Sequence, residues 1–159
     1  MKRPALMLLL CVSPAYGQTA AQVTDALASI RTHDQLLTAA FQNLQGMNMG
    51  PEGEVLRSAS DAINFMRASD DAPIAVANLV RHMRDPADLK EVRAQLQYSL
   101  AHAIRFADIA VNSTNGYLAL LKGPAAVAEL TKARDEMIAI KLAMQSLQVD
   151  AGPPPSNSR

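Results

Sequence analysis

Met47 and Met49 stand two residues apart in Gln45-Gly46-Met47-Asn48-Met49-Gly50-Pro51-Glu52-Gly53, and two thioethers on a pliable loop can both turn toward a soft cuprous ion. Two thioethers seldom complete such a site, and no histidine or cysteine lies within ten residues of the pair. Met66, Met83, Met137 and Met144 sit instead at the spacing of core stripes, where methionine fills gaps. The Met-x-Met segment therefore reads first as a connector, with copper binding at Met47 and Met49 as the alternative.

The other chemistry-bearing residues are sparse. His33, His82 and His102 never share a helix face at i, i+4, and none follows a carboxylate by three positions as in the Glu-x-x-His pattern of di-iron bundles. There is no Gly-x-Ser-x-Gly elbow and no Cys-x-x-Cys-His. Arg105 and Asp108 are the only charges between Ala103 and Val111, and their i, i+3 spacing predicts a partly buried, mutually satisfied pair. The competing use of Arg105 is a ligand-binding arginine in a cleft. Arg81, His82, Arg84, Lys90 and Arg93 are diluted by Asp85, Asp88 and Glu91, and so read as a solvated corner. No catalytic residue, cofactor site or metal site is nominated, and the expected class is non-enzymatic.

The elements that must position these residues begin after a leader. Met1-Lys2-Arg3-Pro4, the apolar run Ala5 to Val12, and the small residues Ala15 and Gly17 predict a secretory signal over 1–17, cut before Gln18. The run is well short of the ~20 residues that a membrane-spanning helix needs. Lipidation at Cys11 is disfavoured because Leu10, not a small residue, precedes it. Cys11 is the only cysteine, so the exported chain lacks disulfides and thiolate sites, and thirteen basic against fifteen acidic residues leave it at −2. That charge steers it toward neither nucleic acid nor a membrane surface.

From 18 to 149 the pattern is helical throughout, in a chain that is 49% apolar and only 4% aromatic. Val23, Ile30, Leu37 and Leu44 recur every seven residues in a first helix, about Ala20 to Gln45. Leu56, Ala59, Ile63 and Met66 mark a second, about Glu54 to Ala68. Ser69-Asp70-Asp71-Ala72-Pro73 then carries a helix-start signal, which predicts a break and a restart from Pro73 to Arg84. Asp85-Pro86 opens a third helix toward Leu121, with a kink or break expected at Asn112-Ser113-Thr114-Asn115-Gly116. A fourth, Ala125 to Val149, carries Ala126, Leu130, Ala133, Met137, Ile140, Met144 and Leu147 in 4-3 alternation, making it the natural coiled partner of the first. Residues 150–159, with three consecutive prolines, read as a disordered tail.

The sum is an all-α, antiparallel, roughly four-helix bundle with a broken second helix. Its expected role is a protein-interaction or scaffolding module in the bacterial envelope, periplasmic or secreted. The expected partner is another envelope protein or a second copy of the chain, with no nucleic acid and no integral membrane segment.

Overall fold

The computed structural model describes residues 20–47, 50–82 and 86–149. The leader over 1–17, the tail over 150–159, and Asn48, Met49, Met83, Arg84 and Asp85 lie outside the described residues. Four helices, α1 (Ala20–Gly46), α2 (Gly53–His82), α3 (Pro86–Leu118) and α4 (Pro124–Val149), pack against one another, with no strand among the described residues. None of them is long and apolar enough to cross a membrane.

Each helix buries the stripe its sequence spacing marks. Val23, Leu27, Ile30, Leu37 and Leu44 of α1 meet Leu130, Met137, Ile140, Met144 and Leu147 of α4 in one continuous core. These two helices share the most extensive interface in the molecule, as their seven-residue recurrence suggests. Their direction is set by two cross-links: His33 Nδ1 lies 2.6 Å from a Glu136 carboxylate oxygen, and Asn43 donates to Glu129 over 3.1 Å. Rising numbers on α1 meet falling numbers on α4, so the pair is antiparallel. α2 and α3 form the second broad interface, α3 closes onto α4, and α1 touches α2 less extensively. The α1/α2 seam is thus the loosest side of the bundle.

Two expectations about breaks are corrected. α2 is one helix of 30 residues with Pro73 inside it. Proline removes one i→i−4 hydrogen bond and crowds the preceding turn. Met66 and Ala77, one on each side of that turn, are fully buried, and burial on both flanks holds the segment helical across the defect. Asp70, read as part of a cap, is instead a buried wall residue of the α1/α2 seam. Nor does α3 break at Asn112 to Gly116; it stays helical through this stretch and ends at Leu118. Ala110, Val111 and Thr114 are buried against the bundle there, and tertiary packing overrides the weak local propensity.

The turn into α4 is held by a carboxylate from the connection between α1 and α2. Glu52 accepts hydrogen bonds from the backbone N–H groups of Lys122 and Gly123, just ahead of Pro124 at the start of α4. It satisfies donors that the helix start leaves open and places negative charge at the positive end of its dipole. Replacing Glu52 with alanine should cost about 1–2 kcal/mol in urea unfolding. Gln at this position should recover part of that loss by restoring one acceptor.

Candidate interaction surface

α2 and α3 carry an outer face as distinctive as their buried one. On α2, Asp61, Phe65, Ala68, Ala72 and Leu79 are exposed; on α3, Tyr98, Ala101, His102, Arg105 and Ile109 are exposed. Four of them are large apolar groups at about half exposure or more: Phe65 49%, Leu79 58%, Tyr98 65% and Ile109 50%. The sequence explains why the face is apolar. Ala72 to Val80 contains no charged residue, and Ala94 to Ile104 contains no Asp, Glu, Lys or Arg.

The rings on this face touch one another. Phe65 of α2 meets Phe106 of α3 edge to face, with centroids 4.8 Å apart. Along α3, Tyr98 lies 4.5 Å from His102, and His102 lies 6.3 Å from Phe106, successive positions one turn apart. Residues 18–159 hold five phenylalanines and tyrosines, and four of them, Phe65, Tyr98, Phe106 and Tyr117, sit on these two helices. A groove of about 400 Å³ continues the strip between Asp61 and Phe65 on one side and Ile109 and Tyr117 on the other. Exposed apolar residues elsewhere, Leu36, Leu120 and Leu142, stand on separate elements, and scattered single residues of this kind are ordinary. Rigid aromatic groups gathered around a groove with few charges are what protein interfaces concentrate at their centres.

A second concavity, of about 280 Å³, opens at the α1/α2 seam among Ile30, Arg31, Asp34, Arg67, Asp70 and Asp71. The Arg67 guanidinium donates to Asp34 over 2.9 Å. Asp70 is 6% exposed, and its hydrogen bond comes from the Ser69 hydroxyl at 3.5 Å. Burial above all, and then the neighbouring Asp34 carboxylate, push the Asp70 carboxyl up from 3.8 to about 7. A carboxyl at that value can exchange a proton near neutrality. No histidine or cysteine lines the cavity beside it, and no group of three or more His, Cys, Asp or Glu side chains poised for a metal occurs among the described residues.

The other sequence-nominated residues are dispersed. Asp108 does not pair with Arg105; it accepts from Lys141 of α4 over 2.9 Å. Asp108, though 51% exposed, reaches Lys141 across the α3/α4 interface, while Arg105, three residues earlier, is exposed beside Ile109. His33 is half-buried against Glu136. His102 joins the ring strip, and His82 is exposed at the end of α2. Of the basic corner, Arg93 is half-buried on α3, while Arg84 and the side chains of Arg81 and Lys90 lie outside what the structure describes. Met47 is partly buried and packs on the core, and Asn48 and Met49 lie outside the described residues.

Comparison of the chain with protein-family models, with curated proteins and with solved structures finds no match to any of the three.

Proposed function

We propose that this chain is an exported, non-catalytic helical bundle that acts in the bacterial envelope as a protein-interaction or scaffolding module. The single observation that carries the reading is the α2/α3 face, where Phe65, Leu79, Tyr98 and Ile109 stand exposed and a groove opens beside Phe65 and Ile109. A side chain held half in water on a rigid helix gains free energy only when a partner covers it, at about 25 cal/mol per Å² of apolar surface. The basic, apolar and small-residue sequence of the first seventeen residues supports export. The four-helix frame, with antiparallel α1 and α4, supplies the rigidity that keeps such a face ready-made.

Copper binding at Met47 and Met49 gains no support, since the Met47 side chain is partly buried on the core. The test is a pair of charges placed on the face, Leu79→Glu with Tyr98→Glu. Both residues are more than half exposed, so the double variant should melt within a few degrees of the parent. In envelope extracts the parent chain should migrate in a complex larger than itself and the variant as a monomer. Equal migration of the two would refute the interaction role of this face.

A further inference from the structure

We propose that the partner of the α2/α3 face is a second copy of the same chain, joined to it about a two-fold axis parallel to the helices. This deepens the interaction reading and rests on it. The face is self-complementary in shape. α3 presents a ridge of bulky groups, Tyr98, His102, Phe106 and Ile109, whereas α2 beside it presents the small exposed residues Ala68 and Ala72 below Phe65. Phe65 and Phe106 touch and so lie level. The two helices run in opposite directions, because only residues 83 to 85 separate them. Counting back along α3 and forward along α2, His102 is level with Ala68 and Ser69, and Tyr98 is level with Ala72 and Pro73. A two-fold axis along the bundle lays each copy's α3 over the other's α2 at the same height. Tyr98 and His102 of one chain then seat over Ala72 and Ala68 of the other, and Phe106 meets the other chain's Phe65, twice.

The charges agree with that apposition. Asp61 and Arg105 are both exposed on this face, and neither has an ion-pair partner among the described residues. Arg105 stands next to Phe106, and Asp61 stands one turn from Phe65, so the axis brings each Arg105 within reach of the other copy's Asp61. Two symmetric pairs then flank the aromatic centre, as an isologous interface requires. The available area fits a weak, concentration-dependent dimer. From Asp61 to Leu79 is roughly 27 Å of helix, and two helices side by side are roughly 20 Å wide. That is about 540 Å² per copy, at the low end of specific interfaces, where weak and transient pairs fall.

Sedimentation equilibrium of the purified full chain, over a hundredfold range of concentration, tests this. The expected result is a monomer–dimer equilibrium, weakened at least tenfold by Asp61→Arg alone and by Arg105→Asp alone. It should return to within about threefold of the parent when both substitutions are combined. Phe65→Glu should leave a monomer at every concentration with its thermal melt retained. A parent chain that stays monomeric, or a dimer whose strength ignores all four variants, overturns the proposal. A monomeric parent that nevertheless migrates in a larger envelope complex, lost with Leu79→Glu and Tyr98→Glu, overturns self-association alone and leaves the interaction face standing. A monomeric parent with no such complex overturns both.

Discussion

Substituting Asp70 with asparagine is expected to make the protein more stable at pH 8 and nearly unchanged at pH 4. Asp70 is buried in the α1/α2 seam with its carboxyl pushed up to about 7, first by burial and second by Asp34. The groups that face it are Asp34 and Arg31 from α1, and Arg67, Ser69 and Asp71 from its own helix. Arg67, the nearest compensating charge, is already engaged by Asp34. Between the unfolded value near 4 and the native value, the folded chain holds a proton that the unfolded chain has released. The stability contributed by the neutral carboxyl is therefore complete below pH 4, declines by about 1.4 kcal/mol per pH unit, and is gone above pH 7. Integrated over that window, the loss is on the order of 4 kcal/mol. Asparagine keeps the shape and cannot ionise, so the parent and Asp70→Asn should diverge as pH rises. Urea unfolding at pH 4, 6 and 8 measures the divergence. Parallel pH profiles for the two proteins would show that the native state tolerates the charge.

The second large effect separates two neighbouring leucines. Leu37 is fully buried and Leu36 is 49% exposed on the same helix. Leu37→Ala removes atoms that contact the α4 core and leaves a void, for an expected cost of 2–5 kcal/mol, about the range of such core truncations. Leu36→Ala should change stability by less than about 1 kcal/mol. Denaturant midpoints decide the comparison, and similar losses at both positions would mean that α1 is rotated from the orientation described.

The helical frame was legible because its signals were local and repeated. Seven-residue recurrence on α1 and α4, and the 3-4-3 run Leu56, Ala59, Ile63 and Met66, are properties of single segments, and the structure buries those residues. Pro73 and the Asn112 to Gly116 stretch misled for the opposite reason. Their local chemistry disfavours a helix, while the burial of Met66, Ala77, Val111 and Thr114 depends on neighbours distant in sequence. The same limit explains Asp108. Its i, i+3 neighbour Arg105 was visible on one helix, whereas its actual partner Lys141 is 33 residues away.

The α2/α3 face had a sequence signal of its own. Tyr98, His102 and Phe106 repeat every four residues on the side of α3 opposite Leu96, Leu100 and Ala107, and the uncharged run Ala72 to Val80 lies on the adjoining helix. Without the pairing of α2 and α3, neither element shows that the two runs form one surface. Asp70 was hidden by the same ambiguity, because an aspartate next to a serine and ahead of a proline has the composition of a helix cap.

Photo-cross-linking from single positions in living cells tests the central claim most directly. A photoreactive phenylalanine analogue placed at Leu79, Tyr98 or Ile109 on the α2/α3 face should give a discrete covalent adduct. The same analogue at Leu36 on α1 or Leu142 on α4, which are about as exposed, should give none. Adducts from all five positions, or from Leu36 and Leu142 alone, would contradict the assignment of the interaction to this face.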